Sequence, residues 1–472
     1  MTTSAQPAPP DGATRLGPRR DPELARRLAR SAAATEGAFL GTDEVDAWLA
    51  ERRRAHRFQV DRIPFTDLDG WSFAPESGNL VHRSGRFFTV EGLRVTSDDG
   101  PFRSWHQPII RQPEVGVLGI VVKEFHGVLH FLLQAKMEPG NRNLLQLSPT
   151  VQATRSNYTG AHKGARVRYL EYFTDGGPGR VLADALQSEH GAWFLRKSNR
   201  NMLVEAVGDV RPHEDFCWLT LGQIGRLLHR DNVVNMDART VLACAPQAGA
   251  DDPDATALHS DTGLLSWFTG ERARHDVTAE RVPLASLPGW RQGDRSIERE
   301  DGRFFRVVAV KVQAGSREVS GWTQPLFEPA GTGVTAFLTR RIEGVSHLLA
   351  HARTEAGFAD TLELAPTVQY TPPNYAGLPD AERPPFLDTV LGAEPSRIRY
   401  EALHSEEGGR FLNAESRYLI VEATPNEAPL KPPPGYVWVT PGQLSGLLRH
   451  NHYVNVQART LLSCLASGAV RL

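Results

Sequence analysis

Apolar runs separated by glycine recur in the middle of each half of the chain. Residues 115–124 and 128–135 are rich in β-branched and aliphatic side chains with Gly127 between them, which predicts a β-hairpin. Residues 334–340 and 345–352 repeat the pattern in the second half. The sequence therefore predicts the same hairpin twice.

Helices are predicted at the end of each half. Thr220 and Thr440 each precede an amphipathic apolar pattern and suit the N-cap position, and Pro441 suits the first helical position. A second helix is predicted to begin near Asn235 and near Asn455. Each half thus predicts an α+β unit, a mixed, mostly antiparallel sheet with helices packed on it.

The two halves are copies of each other. The segment from Leu147 to Tyr158 reads Leu-Ser-Pro-Thr-Val-Gln-Ala-Thr-Arg-Ser-Asn-Tyr, and Leu364 to Tyr375 reads Leu-Ala-Pro-Thr-Val-Gln-Tyr-Thr-Pro-Pro-Asn-Tyr. The offset is 217 positions throughout, without a gap. A chain of 472 residues suits two domains of about 200 residues each, so the sequence is identified as a tandem duplication.

The domain organisation follows from the offset and from composition. Residues 1–40 are predicted to form a disordered, basic N-terminal arm with a short helix in solvent. Residues 41–246 form the first module and residues 263–472 the second. Residues 247–262 are a polar linker between them.

Charge and cysteine content exclude several classes of protein. A net charge of −2 and a pI near 6.8 provide no field that would attract nucleic acid or an anionic membrane. There is no apolar run of the roughly 20 residues that a membrane span needs, and no secretory signal, so a cytoplasmic location is expected. Three unclustered cysteines argue against a disulfide framework, and Cys244 and Cys464 are expected to be buried, inert thiols.

Cofactor and metal motifs are missing from the sequence. There is no dinucleotide-binding Gly-x-Gly-x-x-Gly, no phosphate-binding Gly-x-x-x-x-Gly-Lys-Ser/Thr and no Gly-x-Ser-x-Gly elbow. His126 and His130 are four residues apart in β-rich text, where they would not face one metal. We therefore expect neither a metal nor a cofactor.

Polar and aromatic side chains at equivalent places suggest a binding site. Trp71 and Trp290 each follow a glycine, and either could anchor the core or form a stacking platform for a ring. The five consecutive hydrogen-bonding side chains of residues 154–158 favour ligand binding over a simple turn. Arg200 and Arg417 lie in a second polar line, which is equally compatible with a solvated strand face.

The doubled motif resembles one known family. Residues 145–158, residues 364–369 and the closing Asn-x-x-Ala-Arg text are similar to the NDP-hexose 2,3-dehydratases over about residues 40–470. The resemblance implies two tandem Nudix-like modules in each subunit of a homodimer. It implies the substrate dTDP-4-keto-6-deoxyglucose, dehydrated without metal or nicotinamide, and a product that passes to a 3-ketoreductase. The Nudix box itself, Gly-x5-Glu-x7-Arg-Glu-x2-Glu-Glu, is absent, as expected for an enzyme that leaves the diphosphate intact.

Candidate roles follow from this resemblance. Tyr158 and Glu189 are the candidate acid-base groups, followed by His190 and Lys136. The candidate substrate-binding residues of the first copy are Trp71, Thr154, Arg155, Ser156, Asn157, Tyr158, Ser198 and Arg200. Those of an equivalent pocket in the second copy are Trp290, Asn374, Tyr375, Ser416 and Arg417. The first copy is expected to be catalytic because the second has Pro372-Pro373 in place of Arg155-Ser156.

Two other functions remain open at this stage. The chain could be a non-catalytic protein that binds a nucleotide-sugar or another carbohydrate through its two modules. It could also be a degenerate Nudix hydrolase, which would need magnesium and would lose activity in a chelator.

Overall fold

The computed structural model describes residues 21–154, 167–247, 255–315, 320–379 and 382–472. The helices are α1 Pro22–Ala33, α2 Val45–Ala55, α3 Leu221–Leu228, α4 Met236–Ala243, α5 Asp261–Arg274, α6 Leu387–Leu391, α7 Pro441–Leu447 and α8 Val456–Ala466. Short 3-10 turns lie at Thr42–Glu44, Phe65–Asp67, Leu170–Phe173, Leu284–Ser286, Pro372–Asn374 and Pro395–Arg397.

The strands fall into two matching sets. Those of the first repeat are β1 Phe58–Ile63, β2 Trp71–Phe73, β3 Leu80–His82, β4 Thr89–Ser97, β5 Ser104–Arg111, β6 Gly116–Phe125, β7 Val128–Met137, β8 Leu145–Ser148, β9 Val151–Ala153, β10 Gly179–Ser188, β11 Ser198–Ala206 and β12 Phe216–Thr220. Those of the second are β13 Val277–Val282, β14 Trp290–Gln292, β15 Ser296–Arg299, β16 Phe305–Ala314, β17 Gly321–Pro329, β18 Gly333–Ile342, β19 Val345–Thr354, β20 Leu362–Ala365, β21 Val368–Tyr370, β22 Ile398–Ser405, β23 Glu415–Glu422 and β24 Tyr436–Val439.

Each repeat contains one seven-stranded mixed sheet. In the first repeat the order is β10-β11-β6-β7-β12, with β8 also paired to β7 and β9 to β6. The β6–β11 pair is parallel and the other pairs are antiparallel. The second repeat has the same arrangement around the parallel pair β18–β23. The predicted α+β architecture with a duplicated, mixed sheet is therefore confirmed.

The two predicted hairpins are confirmed, and local chemistry explains them. His126 and Gly127 connect β6 to β7 with φ of 51° and 78°. Glu343 and Gly344 connect β18 to β19 with φ of 49° and 84°. Two central residues with positive φ define the turn whose twist matches the flanking strands, and glycine adopts this conformation at low cost.

The repeats exchange one strand each. Two further five-stranded sheets have the orders β1-β16-β15-β14, with β17 beside β16, and β13-β4-β3-β2, with β5 beside β4. Strand β1 of the first repeat thus pairs with the second repeat, with Val60 opposite Val312. Strand β13 pairs in return with the first repeat, with Ala279 opposite Val95. The modules are therefore interlocked, which the linear boundaries do not reveal.

The closing Asn-x-x-x-Arg segments join the repeats at the core. Asn235 and Asn455 are the N-caps of α4 and α8, which begin where the sequence predicts, and Arg239 and Arg459 are almost fully buried. The guanidinium of Arg239 donates to its own repeat at Val234 O (2.5 Å) and to Ser405 O (2.6 Å) of the other. Arg459 makes the symmetric contacts, which satisfies two buried cations with backbone carbonyls.

The N-terminal arm differs from the sequence prediction. Residues 21–40 pack on the first repeat: Leu24 and Leu28 of α1 are buried in its core. Ser31 Oγ donates to Leu129 O at 2.6 Å and accepts from the amide of Leu221 at 2.9 Å. The expectation of a helix in solvent was wrong here because the apolar stripe of α1 has a partner surface. Residues 1–20 lie outside the described part of the chain.

Two smaller features complete the fold. The cysteines Cys217, Cys244 and Cys464 are free and buried, and burial raises the pKa of the Cys244 and Cys464 thiols to about 11, as expected for inert thiols. Among the described helices, none has the length and apolar content required to cross a membrane.

Candidate active site

A cavity of about 420 Å³ lies in the first repeat. Its walls come from the ends of β7, β9 and β11, from α4, and from the tryptophan of β2. The second repeat closes it with part of β17 and with residues 407–410, which follow β22. The site is thus built by both halves of the duplication.

A hydrogen-bonded triad forms one wall. Lys136 Nζ donates to Gln152 Oε1 and lies 3.3 Å from Glu138 Oε1, and Gln152 Nε2 donates to Glu138 Oε1 at 2.9 Å. In the second repeat Glu355 receives the same bonds, from Arg353 Nε at 2.9 Å and Gln369 Nε2 at 2.8 Å. Because both repeats keep this arrangement, it belongs to the shared framework and does not by itself mark the catalytic copy.

Glu189 lines the same cavity as this triad and is almost fully buried. Its Oε1 accepts from Asn199 Nδ2 at 2.7 Å, while Oε2 has no hydrogen-bond partner among the described residues. A carboxylate with one oxygen anchored and the other available can accept a proton from a ligand. The geometry is compatible with the predicted acid-base role.

His190 is a buried neighbour outside the cavity wall. Its Nε2 lies 2.9 Å from Glu406 Oε2. Burial favours the neutral imidazole, but the hydrogen bond and charge of Glu406 outweigh it and raise the pKa of His190. A histidine committed to such an ion pair serves the core more directly than the reaction.

Two further carboxyl groups were missed by the sequence analysis. Asp237 on α4 is buried, and its Oδ2 has no partner among the described residues; burial and then the charges of Glu138 and Glu407 raise its pKa well above the usual range. Burial likewise raises the pKa of Glu407 to about 7. Both positions differ between the copies, since Asp237 corresponds to Gln457 and Glu407 to His190. That difference at aligned positions is the signal that could have found them.

Two cations accompany these carboxyls. Lys197 is buried, its Nζ donates to Glu114 O, and burial lowers the pKa of its ammonium. Arg410 Nε donates to Gln112 Oε1 at 3.1 Å, and its guanidinium lies 4.4 Å from the centre of the Phe88 ring. Fixed positive groups of this kind can stabilise a diphosphate or an enolate.

Trp71 has a structural role and also borders the cavity. It is 7% exposed, its Nε1 donates to Thr323 O at 3.0 Å, and its ring packs 4.9 Å from that of Phe88. Trp290 makes the equivalent bond to His106 O at 2.7 Å but does not line this cavity. The shared bond across the exchanged strands identifies both tryptophans as anchors of the junction.

The predicted Thr154–Tyr158 segment is only partly described. Thr154 lines the cavity beside Ala153. The remaining residues, Arg155, Ser156, Asn157 and Tyr158, lie outside the described part of the chain. Their predicted contacts with a ligand therefore remain predictions.

Ser198 and Arg200 are not brought to the cavity. Successive side chains of a strand point to opposite faces, so Asn199 faces the cavity and its two neighbours point away. Ser198 Oγ lies 2.9 Å from His452 Nε2, and Arg200 forms two bonds to Asp184, at 2.9 and 2.6 Å. The solvated-face interpretation is correct for Arg200.

The five residues of the predicted second pocket do not converge on one cavity. Ser416 Oγ donates to Glu406 Oε1 at 2.8 Å, whereas Arg417 pairs with Glu401 in solvent at 2.6 Å. Asn374 Oδ1 accepts from the amide of Phe304 at 3.0 Å. Trp290 packs against Phe305, with ring centres 5.1 Å apart.

Tyr375, the last of the five, belongs to an aromatic cluster. Its ring packs against Tyr370, with centres 5.1 Å apart, and Phe102 lies 6.2 Å away. The guanidinium of Arg353 lies 4.9 Å from the Tyr370 ring centre. Tyr370 corresponds to Ala153 of the first repeat, so the second repeat has a ring at the position where Ala153 lines the cavity of the first.

A separate cluster of His213, Glu214 and Asp215 has ligand atoms within 4.8 Å of one another. Asp215 already accepts from His56 Nε2 at 2.6 Å and lies 3.7 Å from Arg52 Nη1. A guanidinium at this position competes with a cation, so ion pairing explains the cluster.

The sequence matches the model of one protein family. The family model of the NDP-hexose 2,3-dehydratases matches residues 42–245 and again residues 261–465. The chain therefore belongs to the NDP-hexose 2,3-dehydratase family. The double match also agrees with the two structural repeats.

Three relatives show how similar the chain is to named proteins. It is 60% identical over 463 residues to a dTDP-4-dehydro-6-deoxy-alpha-D-glucopyranose 2,3-dehydratase of Amycolatopsis orientalis, covering 97% of each chain. It is 50% identical to one of Saccharopolyspora spinosa, covering 94% of this chain and 95% of the relative. It is 51% identical to one of Streptomyces violaceoruber, covering 89% and 96%.

Proposed function

We propose that this protein is a hydro-lyase that removes water across carbons 2 and 3 of dTDP-4-keto-6-deoxyglucose. Family membership and the names of three relatives at 50–60% identity support the reaction and the substrate. The cavity of the first repeat is the observation that supports assigning this reaction to a site. It combines anchored carboxylates, carboxyls with raised pKa and fixed cations.

The chemistry needs one base, one acid and positive groups near the ketone. The 4-keto group acidifies the proton on carbon 3, and its removal produces an enolate that expels the 2-hydroxyl group. The resulting enol tautomerises to a 3,4-diketo-2,6-dideoxy sugar. Because the substrate carbonyl is the electron sink, the proposal includes no cofactor and no metal. Acid-base groups contribute about 10²–10⁴-fold each and an oxyanion donor about 10²–10³-fold.

Roles can be proposed for the residues around the cavity. Glu189 lines the cavity, its Oε2 has no hydrogen-bond partner among the described residues, and it stays a candidate acid-base group together with Tyr158. Lys136 is a candidate donor to the enolate oxygen. Trp71 flanks the ligand, and residues 154–158 hold the sugar or its diphosphate.

The first repeat is proposed as the catalytic one. Its Ala153 leaves space where the second repeat has the ring of Tyr370, and its Asp237 replaces a glutamine. The ring cluster around Tyr370 and Tyr375 supports this assignment.

Finer features of the family are also proposed for this chain. Each module is proposed to be Nudix-like; the mixed sheet with one parallel pair and helices packed beside it supports this assignment. Family resemblance supports a homodimer and a 3-ketoreductase as the next enzyme, because the diketo product is reactive. The free, buried cysteines suit the reducing conditions of the cytoplasm.

The test is incubation of the protein with dTDP-4-keto-6-deoxyglucose and excess chelator. A 3-ketoreductase with NADPH traps the product, and mass spectrometry detects the loss of about one water mass. Water loss in the chelator supports the proposal, and a strong decrease in Tyr158→Phe or Arg155→Ala supports the first repeat as the site. Unchanged substrate with dTDP-sugar binding would overturn it in favour of a non-catalytic binding protein. Turnover that requires magnesium and cleaves the diphosphate would indicate a hydrolase.

A further inference from the structure

The second repeat contributes an ionisable side chain to the first repeat's cavity. Glu407 follows β22 and lines the cavity together with Gly409 and Arg410. The equivalent stretch of the first repeat begins with His190, which is bonded to Glu406 instead. The duplication has thus placed different chemistry on two equivalent loops.

Backbone contacts hold this loop against the first repeat. The amide of Gly140 donates to Gly408 O and the amide of Asn413 donates to Gly140 O, both at 2.7 Å. A Cβ atom added to Gly140 would lie 1.7 Å from Phe411 O, which no real contact allows. The absence of a side chain at Gly140 therefore permits the close approach that places Glu407 at the cavity.

The Glu407 carboxyl differs from the other acids of the cavity. It is half-buried and forms no hydrogen bond or ion pair with any other described residue, whereas Glu138 is held by Gln152 and Glu189 by Asn199. Asp237 is more deeply buried. Among the described carboxyl groups of the cavity, that of Glu407 is therefore both accessible to a ligand and without a hydrogen-bond or ion-pair partner.

The electrostatic surroundings suit a base that works near neutral pH. Burial raises the pKa of Glu407 to about 7; Arg410 opposes the rise, Glu189 and Glu138 add to it, and His190 opposes it. Proton transfer is most efficient when the pKa of the group lies near the working pH. The same shift in a group lining a cleft is typical of functional sites.

We propose that Glu407 is the general base that removes the proton from carbon 3. This role rests on the proposed dehydration of dTDP-4-keto-6-deoxyglucose. The carbon 3–hydrogen bond breaks, its electron pair forms the carbon 3–carbon 4 double bond of the enolate, and Glu407 takes the proton. The enolate electrons then form the carbon 2–carbon 3 double bond as the carbon 2–oxygen bond breaks. The leaving hydroxyl takes up a proton from the acid, for which Glu189 and Tyr158 are the candidates, and departs as water. Glu407 then releases its proton to solvent and the acid takes one up from solvent, which returns both groups to their starting forms.

The test measures cleavage at carbon 3 separately from water loss. Substrate labelled with deuterium at carbon 3 releases the label whenever that bond breaks, whether or not water follows. Glu407→Gln should lower label release and water loss together by about 10²–10⁴-fold, with dTDP affinity unchanged. The matched control is Glu401→Gln, the same change at an exposed glutamate paired with Arg417, which should leave both rates unchanged.

The pH profile provides a readout that a structural role would not change. The base must be ionised, so wild-type kcat/KM should fall as the pH drops below about 7, and this limb should be absent in Glu407→Gln. If Glu407→Gln does not fold, Glu407→Asp tests the role instead. This variant retains a carboxylate, so kcat/KM should still fall as the pH drops below about 7, but at a reduced overall rate.

The outcomes separate this role from the proposed function. Three results would overturn the role of Glu407: label release by Glu407→Gln at the wild-type rate, a pH limb near 7 that persists in Glu407→Gln, or the loss of that limb in Glu407→Asp. The proposed function would still stand if the wild type loses water. A wild type that releases no label and loses no water would refute the proposed function and the role that rests on it.

Discussion

The two repeats keep one framework and use it differently. Both have the glutamate-glutamine wall, Glu138 with Gln152 and Glu355 with Gln369, at nearly the same distances. Next to this wall the first repeat has Ala153 and an open cavity, whereas the second has the ring of Tyr370. On matching sheets, a few differences in side-chain volume and charge thus distinguish the cavity of the first repeat from the equivalent position of the second.

The largest expected effect comes from the duplicated pair Glu189 and Glu406. Glu189→Gln should lower the dehydration rate by about 10²–10⁴-fold with little change in stability, because Gln keeps the acceptor for Asn199. Glu406→Gln removes the charge that faces His190 and should lower the free energy of unfolding by about 1–3 kcal/mol. Dehydration kinetics and denaturant titration of both variants test this difference between a catalytic and a structural glutamate. Equal losses of dehydration rate in the two variants would contradict it.

The next effect concerns the glycines that join the repeats. A Cβ on Gly140 would lie 1.7 Å from Phe411 O, and one on Gly357 would lie 1.8 Å from Phe194 O. Gly140→Ala and Gly357→Ala should each lower the free energy of unfolding by about 3 kcal/mol, because the backbone must separate. Denaturant midpoints measure this, and an unaffected variant at either glycine would show that the junction relaxes.

A smaller effect is expected in the pH dependence of stability. Burial raises the pKa of Glu407 in the first site and of Glu363 in the second repeat to about 7, from the usual value near 4.5. Folding then favours the protonated form, so stability is fully present below about pH 4.5 and is lost as the pH rises through 7. The thermal midpoint should fall over this range, and Glu407→Gln and Glu363→Gln should each flatten the decrease. A thermal midpoint that rises with pH in the wild type but not in these variants would contradict the prediction, because the two carboxyl groups would then stabilise the fold when ionised.

The smallest effect is expected for the exposed arginines. Arg200 pairs with Asp184 and Arg417 with Glu401 on strand faces directed away from the cavity. Arg200→Ala and Arg417→Ala should each change the free energy of unfolding by less than about 1 kcal/mol and leave turnover unchanged. A clear increase in KM for Arg200→Ala would restore the substrate-binding role that the sequence suggested.

Much of the local structure could be predicted, because it is encoded in short patterns. The hairpin turn at Gly127, the N-cap Thr220 and the helix start near Asn235 depend on a few adjacent residues, and all three are confirmed. For the site, the predicted residues Glu189, Thr154 and Lys136 line one cavity, and their roles in it stay predictions. Arg200 was misplaced because a polar strand does not reveal which of its faces meets the cavity.

By itself, the sequence determined the duplication, the α+β class and the family, since these depend on aligned residues and on local periodicity. Only the tertiary structure decided that β1 and β13 are exchanged between the repeats. It alone placed Glu407 of the second repeat in the cavity of the first. Strand exchange and loop docking are contacts between residues 180 or more positions apart, and no periodicity along the chain encodes which distant surfaces meet.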